Sequence, residues 1–378
     1  MKWRDFYMLL CFSSSFFSAN GQHISGAMKF SNPIEAKDSN TIQLSYSNLF
    51  YFSDYEFFHQ IQTGYTLFGS WQYPRISIIP NKWLKLEAGV LAQKDFGDND
   101  FSKILPTFSL QLQHKDLRFL FGAIEGNQAH QLIEPLMNYD RVIERPIEEG
   151  FQFKINEPQL QTDIWLDWEF RQKINADQPE ELTGGFSFSY TLTKPAKPWQ
   201  IKIPLQIIIS HKGGQLDTNH SVVSTTIDHA KGLWIEWNNP GKHHWLQQIR
   251  TDGYHIGYTH SQDGKLFPYN NGNGWLVNFY LQSKWNISLL TSYWKGYHYI
   301  APPGGKLFQS VSSIPGRNYT EPERKLLFLN LLYEKEVFPG FFIDFRYTPY
   351  IDMKEHFMEH AFLLLFSYRK DFRLGSLK

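Results

Sequence analysis

The sequence predicts an all-β fold: a transmembrane antiparallel up-and-down β-barrel of about 18 strands or, alternatively, about 16. Three observations predict this fold. Segments of roughly 8–13 residues alternate polar and apolar side chains, and this is the length that a tilted strand needs to cross a bilayer. Long and short connections alternate along the chain. The N-terminal segment has the pattern of an export signal.

The clearest alternating segment lies within residues 162–192. Successive side chains of a strand point to opposite faces. One face of this segment is apolar, with Ile164, Leu166, Trp168 and Phe170. The opposite face carries the acidic residues Asp163, Asp167 and Glu169. A charged group facing lipid costs about 2–4 kcal/mol at the bilayer midplane, so we expect the acidic face to line a polar lumen. Finding the acids on the lipid side would contradict the barrel register.

The composition limits the possible classes of protein. Aromatic residues make up 17% of the 378 residues, which suits the aromatic girdles that barrels place at both membrane interfaces. The formal net charge is 0, so nothing indicates a nucleic-acid partner. After the first 20 residues, no stretch approaches the roughly 18 apolar residues of a membrane helix. A helical membrane protein is therefore excluded.

Residues 1–21 are predicted to be a secretory signal peptide, followed by the barrel over residues 22–378. The segment has a basic start, an apolar core over residues 6–17, and small residues before a cleavage site at Gln22. A short buried N-terminal helix is the alternative. The single cysteine, Cys11, lies inside this segment, and the apolar stretch before it is short for a lipid-attachment site. A mature chain without cysteine argues against a disulfide scaffold and against thiolate metal sites.

Alternating segments cover most of the mature chain. The predicted strands span residues 23–30, 42–51, 58–68, 72–79, 83–94, 104–113, 117–124, 150–156, 160–170, 183–193, 200–210, 224–237, 253–261, 274–283, 286–293, 325–334, 340–348 and 359–372. Residues 245–250 either lengthen one strand or form a separate piece. The connection at Trp71 is a short exception on the side of the long loops, and Ser53 and Asp54 form a short connection on the other side. Sorting of loops by length is typical of outer-membrane barrels.

The chain resembles porin-like outer-membrane β-barrel proteins of the Bacteroidota type. The resemblance rests on the export segment, the rhythm of strands and loops, and a final amphipathic strand over residues 361–372. That strand resembles the assembly signal of such barrels, except that residues 373–378 follow its terminal aromatic residue. The resemblance implies a cell outer-membrane location, contact with membrane lipid and lipopolysaccharide, and passage of small polar solutes or saccharides. It implies no enzyme activity and no cofactor, and it leaves the oligomeric state open. A non-conducting subunit of an envelope assembly is an alternative.

Charged residues on the predicted inner faces are candidates for a lumen or constriction site. Opposite charges across a lumen can select small polar solutes, although any wide barrel also needs a wetted interior. The candidates are Asp163, Asp167, Glu169, Lys154, Lys202, Asp344 and Arg346. Trp165, on the same face as the acids, fits a sugar-stacking platform or simple filling of the lumen.

The connection 125–149 combines charged residues with apolar ones. Apolar anchors are unnecessary in a fully solvated loop but useful in a loop folded into the lumen. We therefore keep two alternatives: a constriction loop and an external surface loop. Its charged candidates are Asp140, Arg141, Glu144 and Arg145.

Residues 257–264 resemble the strand-end signature of outer-membrane phospholipase A and, more loosely, that of lipid A deacylase. In both, a histidine and a serine two residues later share one face of the barrel. Here His260 is followed by Ser261 and Gln262, and Ser261 points to the opposite face of a regular strand unless a bulge rotates it. A lipid hydrolase centred on His260 is therefore an alternative function. His211, His243 and His244 show no metal-ligand spacing with carboxylates, so we assign no metal.

Overall fold

The computed structural model describes residues 26–28, 30–173, 178–195, 197–213, 222–239, 241, 244–262 and 266–377. The predicted signal peptide, with Cys11, lies outside these residues. Sixteen antiparallel strands close into a barrel in which the first strand pairs with the last. The strands are β1 (Thr41–Glu56), β2 (Tyr65–Asn81), β3 (Leu84–Asp95), β4 (Lys103–His114), β5 (Leu117–Ala123), β6 (Glu149–Asn156), β7 (Leu160–Phe170), β8 (Glu180–Thr191), β9 (Trp199–Gly213), β10 (Ser224–Asn238), β11 (Leu246–Gln262), β12 (Asn271–Ser283), β13 (Ile287–Tyr297), β14 (Glu323–Phe338), β15 (Phe341–Asp352) and β16 (Phe357–Ser376). Within the described part of the chain, no helix is long and apolar enough to span a membrane.

The all-β barrel is confirmed, with 16 strands as in the alternative count. Two predicted features explain the larger count. The predicted strand 23–30 is wrong, because residues 26–28 form a 3-10 turn. The predicted turn at Trp71 is also wrong, because β2 runs through it without a break. Gly69 and Ser70 interrupt the alternation of large side chains there without interrupting the strand.

Because there is no turn at Trp71, the connection between β1 and β2 also differs from the prediction. Ser53 and Asp54 lie within β1, and residues 57–64 join β1 to β2. This connection therefore lies on the side of the long loops. Residues 246–250 lengthen β11 instead of forming a separate piece.

The two faces of the barrel wall differ as expected from the alternation. In β9, Ile203 and Ile209 are 44% and 41% exposed on the outer face, whereas Lys202 and Gln206 are buried on the inner face. Outward tryptophans also lie near the short connections, where they form an aromatic girdle. These exposed side chains are Trp83, Trp199, Trp245 and Trp285.

Two long connections, residues 124–148 and 298–322, fold into the barrel and pack against each other. We call them the interior plug. The first contains a one-turn helix, α1 (Arg141–Glu144). The amide of Asn138 donates to the carbonyl of Pro303 over 2.7 Å, and the amide of Gly305 donates to the carbonyl of Glu134 over 2.8 Å. Apolar side chains of both connections join the main interior cluster, including Leu132, Ile133, Leu136, Met137, Ile300 and Phe308.

The N-terminal stretch before β1 occupies the opposite end of the barrel. The amide of Gly26 donates to Glu334 over 2.7 Å, and Arg369 donates to the carbonyl of Gly26 over 2.6 Å. Further along, the amide of Ile34 donates to Gln113 over 2.9 Å. Between this stretch and the plug, the interior retains cavities of about 190 and 80 Å³.

Candidate functional site

The barrel wall brings a serine and a histidine together at the end that carries the long connections. In the β10–β11 ladder, Thr226 lies opposite His260, and Ser224 is two residues closer to the strand end. Ser224 and His260 face inward and are 5% and 6% exposed. The Oγ of Ser224 lies 2.8 Å from the Nε2 of His260. The geometry is that of a hydroxyl hydrogen-bonded to an imidazole base.

The sequence-predicted partner of His260 lies elsewhere. The β10–β11 register runs without a shift from Ser224 paired with Gln262 to Asn238 paired with Gln248. Ser261 therefore remains on the outer face and is exposed. Because no bulge rotates it in this ladder, Ser261 lies on the opposite side of the wall from the His260 ring.

A cavity of about 230 Å³ adjoins Ser224. One part of its lining is apolar, and Phe267, which belongs to this part, also packs against the His260 ring with a centroid distance of 4.9 Å. Another part is charged. The apolar lining consists of Leu182, Leu266, Phe267, Pro302 and Pro303. The charged lining consists of Arg141, Glu169, Glu181 and Lys212, with His211 beside them. The cavity thus combines an apolar surface with charged groups next to the Ser224 hydroxyl.

This arrangement supports acyl transfer in chemical terms. A serine hydroxyl is a weak nucleophile until an adjacent base accepts its proton. The Nε2 of His260 is within the hydrogen-bond distance that this transfer requires. Within the described residues, the Nδ1 of His260 has no hydrogen-bond partner.

The acidic residues of β7 face the interior. Asp163 and Asp167 are 4% and 0% exposed, so they do not face lipid. Arg145 of the plug holds Asp167 through two bonds of 3.0 Å, and Arg141 lies 3.1 Å from Glu169. The connection 125–149 therefore lies inside the barrel and not on its outer surface. Its arginines neutralise the acids in ion pairs.

A buried histidine that sequence reasoning missed anchors the plug to the wall. His130 lies between two carboxylates, with Nδ1 3.0 Å from Asp163 and Nε2 2.9 Å from Glu148. Its ring stacks on Trp165 at 3.7 Å, so Trp165 fills the lumen against the plug. Burial alone would lower the pKa of His130, but the two carboxylates outweigh it and raise the pKa to about 9. A single histidine in a long connection carries no sequence signal for this role.

The same anchor includes Lys154 of β6. Its Nζ lies 3.2 Å from Glu125 and 3.3 Å from Asp163. Glu125 also forms a two-point ion pair with Arg118, at 2.6 and 2.8 Å. Although burial opposes it, these cations lower the pKa of Glu125 well below its usual range. Lys154 therefore helps to fasten the plug to the wall.

Other predicted residues are distributed around the interior. Lys202 lies 5.2 Å above the Trp234 ring. Asp344 is buried, and Arg346 lines the 80 Å³ cavity. Asp344 and Arg346 lie on β15, far around the barrel from the β7 acids, whereas Lys202 lies on β9, two strands from β7.

The remaining plug candidates differ from each other. Asp140 is buried and accepts hydrogen bonds of 2.6 Å from both Tyr55 and Tyr65. Burial raises the pKa of Asp140 despite these two donors. Glu144 is exposed, and its carbonyl accepts a hydrogen bond from Lys103.

Comparison with known proteins adds two findings. In fold, the chain is similar to the outer membrane protein OprD from Pseudomonas aeruginosa, with a TM-score of 0.50, 10% identity, and coverage of 90% of this chain and 96% of that chain. A similarity to OccAB4 from Acinetobacter baumannii has a TM-score of 0.47 and 10% identity, covering 89% and 100% of the two chains. At such identities, the OprD similarity shows the fold alone. A search of curated proteins gives no match.

The second finding concerns the family. Residues 34–377 match the family model described as lipid A 3'-O-deacylase-type. This is an enzyme family, so the expectation that the protein is not an enzyme is wrong. The match favours the lipid A deacylase resemblance of residues 257–264 over the phospholipase A resemblance. The barrel fold and the family together confirm the cell outer membrane as the location. This barrel therefore belongs to the lipid A 3'-O-deacylase-type family.

Proposed function

We propose that the protein is an outer-membrane hydrolase that cleaves an acyl ester of a lipid A-type glycolipid. Ser224 is the nucleophile and His260 is the general base. The observation that carries the proposal is the 2.8 Å contact between Ser224 Oγ and His260 Nε2, beside a cavity with apolar and charged lining. The family match supports the choice of a lipid substrate.

The bonds formed and broken in the reaction involve Ser224, His260, the ester and water. Ser224 Oγ attacks the ester carbonyl carbon while Nε2 of His260 accepts the hydroxyl proton. When the tetrahedral intermediate collapses, the carbon–oxygen bond to the sugar breaks, and His260 returns the proton to the leaving alkoxide. Water then attacks the acyl-serine with His260 again as base, which releases the fatty acid and restores Ser224.

Mass spectrometry of lipid A incubated with purified protein in detergent micelles tests the proposal. We expect loss of one acyl group with the wild-type protein. Because a positioned base contributes about 10²–10⁴-fold, Ser224→Ala and His260→Gln should each slow the reaction at least about 100-fold. Ser261→Ala is the matched control, because Ser261 lies on the outer face, and it should retain the wild-type rate. Wild-type deacylation by Ser224→Ala would overturn the proposal. Cleavage of phospholipid without cleavage of lipid A would overturn the substrate assignment.

Passage of small polar solutes is the second candidate, and the OprD-like fold favours it. The interior plug argues against a wide open pore, because both long connections pack within the barrel. Planar-bilayer recordings with residues 127–147 removed test this candidate. A conductance that rises on removal supports a channel, whereas no current in either form counts against one.

A further inference from the structure

The Ser224–His260 pair lies beside an isolated buried carboxylate, Asp228. Ser224, Thr226 and Asp228 are alternate residues of β10 and all face inward. In the register with β11, Thr226 lies opposite His260, and Asp228 lies opposite Tyr258. Ser224 and Asp228 are therefore the two diagonal neighbours of His260 on β10. Such neighbours are about 7–8 Å apart, which an intervening side chain can bridge.

Three neighbouring side chains here carry polar atoms without partners. Within the described residues, the Nδ1 of His260, the Oγ1 of Thr226 and both carboxylate oxygens of Asp228 are buried and have no hydrogen-bond partner. Asp228 is 0% exposed. An unsatisfied buried polar group costs about 1–3 kcal/mol, and a charged one costs more. A catalytic role is one of the reasons for which native proteins retain such groups.

The other groups around Asp228 do not satisfy it. Its neighbour on β9 is the apolar Ile208. Among the residues that the structure describes, the titratable groups facing Asp228 are the phenols of Tyr258 on β11 and Tyr299 of the plug. Tyr258 donates to the carbonyl of Tyr269, and Tyr299 donates to the carbonyl of Pro135. Both phenol protons are therefore already used elsewhere.

We propose that Asp228 is a positioning residue that acts on His260 through the hydroxyl of Thr226. In this relay, which rotations of the three side chains would close, His260 Nδ1–H donates to Thr226 Oγ1, and the Thr226 hydroxyl donates to the Asp228 carboxylate. Three of the four unsatisfied atoms, including one oxygen of Asp228, then gain a partner. The proton is fixed on Nδ1, which leaves the lone pair of Nε2 directed at Ser224. The hydrogen bond from Thr226 favours the ionised form of Asp228, and that negative charge in turn favours the imidazolium that forms during attack. This inference rests on the proposed hydrolase function.

The pH profile of lipid A deacylation by Asp228→Asn and Thr226→Val, compared with wild type, tests the inference. We expect both variants to lower kcat by about 100-fold with little change in KM, because an amide or a methyl group cannot hold the required tautomer. The acidic limb of the kcat/KM profile should move to lower pH by about one unit, because a charge that favours imidazolium has been removed or disconnected. Thr226→Ser keeps the hydroxyl and should restore both parameters. A purely structural role would not move the pH profile.

Two outcomes separate this inference from the function beneath it. If Ser224→Ala is inactive but Asp228→Asn and Thr226→Val keep the wild-type activity and pH profile, the positioning role is overturned and the hydrolase proposal stands. An active Ser224→Ala overturns the hydrolase itself. Heat-dependent mobility on gels reports whether each barrel is folded. If Asp228→Asn does not fold, the comparison of Thr226→Val with Thr226→Ser decides the matter.

Discussion

Replacing His130 with alanine should loosen the interior plug in a pH-dependent way. In the folded protein, the carboxylates of Glu148 and Asp163 raise the pKa of His130 from its ordinary value of 6.5 to about 9. That difference corresponds to about 3 kcal/mol of stabilisation. Because the folded pKa is raised, the stabilisation is complete below pH 6.5 and disappears as the pH rises through about 9.

The carboxylate of Glu148 sets the lower pH limit of this stabilisation. Although burial opposes it, the charge of His130 helps to lower the pKa of Glu148 from 4.5 to about 2. A lowered carboxyl pKa gives stabilisation that is complete above pH 4.5 and is lost as the pH falls through about 2. The contact is therefore strongest between pH 4.5 and 6.5.

Hydrogen-exchange mass spectrometry of plug peptides in micelles measures the effect, after correction for intrinsic exchange rates. At pH 6, His130→Ala should accelerate exchange over residues 125–149 by about 100-fold, since each 1.4 kcal/mol is tenfold. At pH 10, only the pH-independent loss of the Trp165 stacking contact should remain, so the acceleration should be much smaller than at pH 6. His114→Ala, at an exposed position at the end of β4, is the control and should exchange like wild type. Equal acceleration at both pH values would refute the electrostatic account, as would no acceleration at pH 6.

Three further substitutions test the interior packing and its charges. Gly185→Ala should displace Trp165 and destabilise the plug, because an added Cβ would clash with the indole of Trp165; exchange rates of the plug peptides report this. Arg118→Met leaves Glu125 buried with fewer cations, and it should lower the free energy of unfolding in urea by about 3–5 kcal/mol at pH 7. Burial raises the pKa of Glu134 to about 7, so its ionisation removes stability as the pH rises from 4.5 through 7. Glu134→Gln should therefore stabilise the protein at pH 8 and have little effect at pH 4, as measured by thermal unfolding.

The strands and their faces could be predicted because alternation is a local property of the chain. Asp163 and Asp167 lie in the interior because the parity that places Ile164 outward places them inward. The error at Trp71 has the same origin. Two small residues before it interrupt the alternation, and parity alone cannot distinguish a turn from a run of small side chains.

The Ser224–His260 pair could not be predicted in this way, because it depends on register between strands. The two residues are far apart in sequence and meet only when β10 pairs with β11. A signal did exist. Both residues occupy inward-facing positions of the alternation, and both lie near the ends of consecutive predicted strands. Counting back from the turn between those strands places Ser224 near His260, but only if the turn length is known.

Ser224 and His260 lie on the inner side of the wall, and this position restricts which ester bonds of a lipid can reach them. Acyl chains of the outer leaflet run along the outside of the barrel, so under the proposed function an ester must rise over the rim at the ends of β10 and β11. Each methylene drawn into water costs about 0.8 kcal/mol, and ten of them cost about 8 kcal/mol. An ester next to the sugar exposes few methylenes, and Leu182, Leu266 and Phe267 can cover those that follow. Under the proposed function, ester bonds near the headgroup can therefore reach Ser224, whereas ester bonds deeper in the acyl region stay in the bilayer.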